Sequence, residues 1–192
     1  MANTLFPIFL KLDQLNTLVV GGGNVAREKV SAILRNAPNA RVTMIAPFFR
    51  EDTLEFIKKF PLVSFEIREF LEEDLDGRDL IICATDNVQL HQKIKILAAG
   101  QHLLCNVADT PDLCDFYLGS IVQKGDLKIA ISTNGKSPTL AKRIRAFLED
   151  VIPMDIQESM DGLEAYRKSL KGDFEAKIKA LNELTKGLTF RK

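Results

Sequence analysis

Neither sign of charge is in excess. Lysine plus arginine and aspartate plus glutamate each number 26, for a formal net charge of zero. That balance argues against a general nucleic-acid binder, whose footprint is a basic surface. No apolar stretch reaches the about 18 residues of a membrane helix, and Met1-Ala2-Asn3-Thr4 has no basic leader region. A soluble, cytoplasmic protein with no membrane partner is expected. Cysteine is limited to Cys83, Cys105 and Cys114, with no CxxC pair. An odd count without a leader points to a reducing compartment. Cys83 and Cys105 fall in apolar runs, where cysteine behaves as a small buried hydrophobe. The two histidines, His91 and His102, have no partner triad nearby, and His91 reads as a surface residue. No His/Cys cluster has metal-ligand spacing, so no resident metal is expected. Internal repeats and low-complexity stretches are also missing. What is there is 46% hydrophobic over 192 residues, enough for one good core, or for one α/β domain with a smaller appendage.

After an apolar lead-in, Leu5 to Leu10, expected as an edge strand or a loop tucked under the domain, Leu15 to Val20 reads as a buried strand. It runs into Gly21-Gly22-Gly23-Asn24-Val25-Ala26, and from Val25 the apolar residues Val30, Ile33 and Leu34 recur at helical spacing. Strand, glycine turn and helix form the setting in which GxGxxA carries meaning. Gly21 permits the tight turn, Gly23 lets backbone approach a pyrophosphate, and Ala26 keeps helix and strand close. The helix N-terminus favours the negative charge. Arg41 to Ala46 reads as strand two. It ends in Ala46-Pro47-Phe48, without the acid that usually holds a ribose hydroxyl. Arg50 is either a partner for a 2′-phosphate or a solvated surface arginine. A helix over Glu51 to Phe60 follows, then strand three from Leu62 to Arg68. Glu72, Glu73, Asp74 and Asp76 read as a solvated acidic turn rather than a metal cluster. Asp79 to Thr85 is strand four; its carboxyl end, Thr85-Asp86-Asn87, faces the cofactor beside the glycine loop, or Asp86 or Asn87 serves as the cap of the helix Val88 to Ala99. His102 opens strand five. Five strands with intervening helices imply a Rossmann-like open parallel sheet in the order 3-2-1-4-5. Its ligand crevice lies between strands one and four, lined by Gly21 to Val25 and by Thr85. Asp109 ends strand five beside it, and either does chemistry or caps a turn.

The pattern changes after Asp109. Asp115 to Gln123 and Leu127 to Ser132 form a hairpin around Lys124-Gly125-Asp126. A hairpin of this size is marginal alone, so a homodimer built through it is expected. Ser137-Pro138 starts a helix running to about Ile152, closed by Pro153. Its start, with Lys136, Lys142, Arg143 and Arg145, suits a polycarboxylate or phosphate ligand, or is an ordinary solvated helix face. Residues 154–192 are expected as two helices, or one with a break, separated at Gly172 and packed against the hairpin region, and Thr189 to Lys192 are expected to fray.

Four motifs together resemble the precorrin-2 dehydrogenase / sirohydrochlorin ferrochelatase family, the NAD-dependent part of siroheme synthase, over residues 5–153. They are Phe6-Pro7-Ile8-Phe9-Leu10; Val19-Val20-Gly21-Gly22-Gly23-Asn24-Val25-Ala26 with Arg27 and Lys29; Ala84-Thr85-Asp86-Asn87 with Asn106-Val107-Ala108-Asp109-Thr110-Pro111; and Ser120-Ile121-Val122 leading to Ile129-Ala130-Ile131-Ser132-Thr133-Asn134-Gly135-Lys136-Ser137-Pro138. The resemblance implies an NAD-binding domain over residues 1–112, a dimerisation region over 113–153 and a helical region over 154–192. It implies oxidation of precorrin-2 to sirohydrochlorin with NAD as hydride acceptor, and in some members insertion of Fe2+. It maps the important aspartate onto Asp109. The cofactor contacts fall on Asn24 and Val25 after Gly21, Gly22 and Gly23, and on Pro47 and Phe48. Lys136, Ser137, Lys142, Arg143 and Arg145 are the candidate substrate contacts. Gly119 and Asn134 depart from the family pattern, which commonly has proline and glycine there. With 192 residues there is no room for the methyltransferase domain of longer siroheme synthases, so precorrin-2 is expected to come from another protein. The competing reading is a non-catalytic NAD-sensing regulatory module, which needs the glycine turn but not Asp109.

Overall fold

The computed structural model describes residues 3–171 and 174–186. The chain divides into two compact units. One takes in the chain up to Ser120 together with Ser132–Pro138; the other takes in Ile121–Ile131 and the chain from Thr139 onward.

The first unit is built on β1 (Asn16–Val20), β2 (Arg41–Ala46), β3 (Val63–Ile67), β4 (Leu80–Cys83) and β5 (Leu104–Val107). Their order in the sheet is β3-β2-β1-β4-β5 and every pair is parallel. This is the order expected from the sequence. Side chains alternate across the pleat, so Leu18 and Val20 of β1 face one core and Val19 the other. On the Val19 side lie α1 (Asn24–Asn36) and α2 (Glu51–Ile57), which bury Ala26, Val30, Ile33, Leu34 and Ile57 against Met44 and Ile82. On the other side α3 (Val88–Gly100) buries Ile94 and Ala98 against Ile81, Cys83 and Cys105. Central strands covered on both faces explain why β1 and β4 read as unbroken apolar runs. The open edge of β5 is covered by the segment after it. Asp115 donates its backbone N–H to Cys105 O at 2.8 Å, and its carboxylate accepts the Cys105 N–H at 2.9 Å.

Several local expectations change. Leu5 to Leu10 is neither a strand nor tucked under the domain; Phe6 is 86% exposed, and the chain first joins the core at Leu12. The second helix stops at Ile57 rather than Phe60. His102 sits in the turn before β5 with φ of 59°, not in the strand. The acidic stretch is not wholly solvated. Asp74 is buried and takes two hydrogen bonds from Arg68, at 2.8 and 2.6 Å, and one from the Leu71 N–H at 2.7 Å. Burial by itself would raise the Asp74 pKa, but those hydrogen bonds and the Arg68 charge outweigh it and hold the carboxyl below its ordinary value.

In the second unit β6 (Ser120–Lys124) and β7 (Leu127–Ile131) form the expected hairpin, but its first arm starts at Ser120 rather than Asp115, because Asp115 is bonded to Cys105 on the edge of β5. Gly125, with φ of 58°, supplies the left-handed residue that a two-residue hairpin loop needs. Three helices follow: α4 (Pro138–Val151), α5 (Ile156–Ser169) and α6 (Phe174–Thr185). Gln157 of α5 accepts the Asp126 N–H at 2.7 Å and donates to the Asp126 carboxylate at 3.0 Å, clasping the hairpin loop. The break at Gly172 and the fraying end at Thr189 to Lys192 lie outside the described residues. No helix among the described residues is long and apolar enough to cross a membrane.

Candidate dinucleotide site and the Asp109 turn

β1 pairs with β2 on one side and β4 on the other, so its carboxyl end opens at the point where the strand order reverses. The glycine turn lies there between two walls of backbone. Gly21 has φ of 138° and donates its N–H to Ile45 O at 2.9 Å. A Cβ on Gly21 would stand 2.3 Å from Ala84 O, and one on Gly22 would stand 2.2 Å from Phe48 O. Gly22 O in turn accepts the Arg50 N–H at 3.0 Å, tying the loop after β2 to the turn. Gly23 differs: a Cβ there meets nothing within 4 Å. It precedes α1 with no side chain capping the helix and no acid in the first turn. Two glycines therefore close the turn against its walls, while the third leaves bare backbone facing open space at a positive helix end. That is a cradle a pyrophosphate fits. Asn24 is exposed and Val25 half-buried on the first turn of α1. Pro47 and Phe48 lie on the wall above Gly22, and the Phe48 ring is 70% exposed, free to serve as an apolar platform.

Thr85 follows β4 on the opposite wall. Its hydroxyl lies 2.9 Å from His91 Nε2 and accepts the Asn87 N–H at 3.2 Å, while its own N–H donates to His91 Nε2 at 3.3 Å. The N–H can only donate, so Nε2 is the acceptor and the imidazole proton belongs on Nδ1. His91 is thus buried, at 4% exposure, and not a surface residue. Burial holds its pKa below the ordinary value, and the nearby Asp86 charge opposes that shift. Asn87 caps α3 through the Leu90 N–H at 2.9 Å, resolving the choice between Asp86 and Asn87. The histidine was legible as a helix residue, but its inward face showed only once α3 was docked on β4.

Val20, Cys83 and Val107 stand in one register row across β1, β4 and β5. The chain past Val107 therefore leaves the sheet at the same end as the glycine turn, two strand spacings away, or roughly 10 Å. Ala108 still pairs to Cys83 O at 2.9 Å, and Thr110 N–H closes a turn onto Val107 O at 3.3 Å. Asp109 occupies that turn with φ of 57°, a conformation in which glycine is the unstrained choice. Its side chain is exposed and makes no hydrogen bond or ion pair among the described residues. The turn is braced by Cys114, whose thiol accepts the Val107 N–H at 3.2 Å and reaches Val107 O at 3.1 Å and Thr110 O at 3.4 Å. Burial pushes the Cys114 thiol pKa up, which keeps the proton that these contacts use. The buried Asn106 adds a hydrogen bond to Phe116 O at 2.7 Å. This bracing by Cys114 was not foreseen; seven residues separate it from Val107, and only the fold-back of the segment after β5 brings them together.

Lys136 and Ser137 lie in the Ser132–Pro138 segment of the first unit. Asn134 and Gly135 have φ of 53° and 75°, and Lys136 N–H closes onto Thr133 O at 3.1 Å. Asn-Gly suits a turn with two left-handed residues, so Asn134, which departs from the family pattern, is accommodated. Lys142, Arg143 and Arg145 are exposed on α4 in the second unit. Arg145 pairs with Glu149 at 3.5 Å, so the acid one turn on offsets part of this basic face. Among the described residues no group of three His, Cys, Asp or Glu side chains could hold a metal.

Comparison with known proteins follows the same division. Residues 8–120 match the family described as "Putative NAD(P)-binding", and residues 124–150 match the sirohaem biosynthesis protein central family. Siroheme synthase of Vesicomyosocius okutanii is 38% identical over 176 residues, which is 91% of this chain and 35% of that protein. Siroheme synthase of Nitrosococcus oceani is 40% identical over 165 residues, 86% of this chain and 35% of that protein. The chain thus spans about a third of the length of these curated relatives. A solved structure titled SirC, precorrin-2 dehydrogenase, superposes with a TM-score of 0.71 over 94% of this chain and 89% of that one, at 24% identity, and so shares its fold.

Proposed function

The chain belongs to the NAD(P)-binding family whose model spans residues 8–120, and on that premise we propose that it oxidises precorrin-2 to sirohydrochlorin with NAD+ in siroheme biosynthesis. The observation that carries the proposal is the pairing of an open glycine cradle at Gly23 with an exposed carboxylate at Asp109, both at the same end of one parallel sheet. Relatives named siroheme synthase, matched over 91% and 86% of the chain, support the choice of substrate.

In this reading Gly21 and Gly22 set the turn, and the amides at Gly23, Asn24 and Val25 hold the pyrophosphate. Pro47, Phe48 and Thr85 line the rest of the cofactor cleft. Bound NAD+ supplies the hydride acceptor. Asp109 is the general base that takes the ring proton, and the left-handed turn braced by Cys114 keeps its carboxylate exposed to substrate. Lys136, Ser137, Lys142, Arg143 and Arg145 attract the carboxylates of the macrocycle. Fe2+ is proposed as a second substrate, with Asp109 taking the pyrrole protons as the metal enters. Residues 113–153 pair two subunits into a homodimer, a role suited to Leu140, Phe147 and Val151, which are half or more exposed at helical spacing on α4. The C-terminal region proposed from residue 154 onward carries α5 and α6 among the described residues. Three free cysteines suit a reducing, cytoplasmic setting.

The test is an absorbance assay of Asp109→Asn with precorrin-2 and NAD+, followed by added Fe2+ or Co2+. Turnover is expected to fall at least a hundredfold with NAD+ affinity retained. Normal oxidation by the variant would remove Asp109 from the mechanism. A wild-type chain that binds NAD+ but yields no sirohydrochlorin would instead be a sensing module.

A further inference from the structure

The loop after β2 is where a dinucleotide fold reads the adenosine ribose, by an acid for a free 2′-hydroxyl or by an arginine for a 2′-phosphate. This chain has no acid at the strand end, where Ala46-Pro47-Phe48 stands, and it has two arginines close by. Taken alone, Arg50 after β2 and Arg27 on the first turns of α1 would favour the phosphorylated cofactor. Both are already engaged by one carboxylate. Asp52 Oδ1 lies 3.3 Å from Arg50 Nε, and Asp52 Oδ2 lies 2.9 Å from Arg27 Nη1. The loop that carries Arg50 is held on the glycine turn by its own N–H bond to Gly22 O. Beside it opens a hollow of about 430 Å3 lined by Phe48, Arg50, Glu51, Asp52 and Glu55. Three carboxylates line it against Arg50 and, through Asp52, Arg27, so acids outnumber guanidiniums and a dianionic phosphate entering the hollow meets net repulsion.

We propose that Asp52 makes this chain select NAD+ over NADP+: it occupies Arg27 and Arg50 and, with Glu51 and Glu55, keeps the ribose side of the site hostile to a 2′-phosphate. The inference rests on the dinucleotide reading of the glycine turn. Asp52 acts without touching the 2′-hydroxyl, by withholding the two guanidiniums that would bind a phosphate. The pairs are partly solvated, with side-chain exposures of 44% for Arg27, 51% for Arg50 and 38% for Asp52, so the selectivity is sensitive to salt.

Calorimetric titration of the full chain with NAD+ and with NADP+ tests this, with circular dichroism as the check on folding. Wild type is expected to prefer NAD+. Asp52→Asn should shift the affinity ratio toward NADP+ by about tenfold at low ionic strength, a shift that shrinks in high salt. Adding Arg50→Ala to Asp52→Asn should reverse most of the gain, because the freed guanidinium is then gone. Glu51→Gln with Glu55→Gln, which leaves both Asp52 pairs in place, should move the ratio the same way by a few-fold, and it stands in if Asp52→Asn does not fold. A folded Asp52→Asn that binds NAD+ normally with an unchanged ratio overturns the inference, as does a wild-type chain that prefers NADP+. Failure of wild type to bind either dinucleotide would sink the dinucleotide reading itself.

Discussion

Gly21 and Gly23, two glycines of one turn, should respond to the same substitution in different ways. An alanine Cβ at Gly21 would lie 2.3 Å from Ala84 O and 2.8 Å from Ala84 C, against an ordinary contact of about 3.5 Å. Both struck atoms are backbone at the end of β4, a strand buried on both faces, so neither can swing aside. The φ of 138° adds a cost of about 1–3 kcal/mol for a residue bearing a Cβ. With the displacement of β4, Gly21→Ala is expected to lose about 3 kcal/mol or more, a large share of the ~5–15 kcal/mol that holds a domain. Gly23 has φ of −87° and ψ of −166°, a region open to alanine, and its Cβ meets nothing. Gly23→Ala should leave stability within about 1 kcal/mol, since lower chain entropy in the unfolded state offsets a small capping loss. The same Cβ would project into the space assigned to the pyrophosphate, so NAD+ affinity should fall about tenfold or more, which is ~1.4 kcal/mol. Urea unfolding and NAD+ titration of both variants separate the two effects. A Gly23→Ala chain that binds NAD+ as tightly as wild type would show that the phosphates do not lie on this turn, and an unimpaired Gly21→Ala chain would show that the walls yield.

His91 has a folded-state pKa below its ordinary 6.5, so the unfolded chain binds more protons between the two values. Stability should therefore fall as pH drops through about 6.5 and level off below the folded-state pKa, and urea midpoints at stepped pH should lose that slope in His91→Gln. Asp74 is also depressed, from 3.8, so its contribution is present above that value and lost as pH falls through the folded-state pKa. Asp74→Asn should flatten the acid limb of the stability curve while lowering stability at neutral pH, read by thermal melts between pH 2 and 7. For the proposed homodimer, wild type is expected to sediment as a dimer and Phe147→Glu, altered at a side chain 63% exposed on α4, as a monomer; a monomeric wild type would refute the pairing, and a variant that stays dimeric would place the interface elsewhere.

The sheet order, the glycine turn, the hairpin and the start of α4 at Pro138 were all legible in the sequence. Each depends on short-range signals: apolar runs of strand length, glycine before a helical period, a two-residue loop and Ser-Pro. Asp109 was legible as a carboxylate past a strand end, and its left-handed turn was not. Tertiary structure decided the rest, because the partners are far apart in the chain. Asp52 reaches Arg27 across 25 residues, Cys114 reaches back to brace the Asp109 turn, and His91 turns inward onto Thr85. Periodicity tells which face of a helix is apolar, but a polar side chain at the edge of that face is assigned inside or outside only when its helix docks. Local sequence thus determined where a dinucleotide could sit. The packing of α1, α2 and α3 on the two faces of the sheet decided which polar groups would meet there, since hydrogen bonds and ion pairs form between elements that only the sheet order brings within reach.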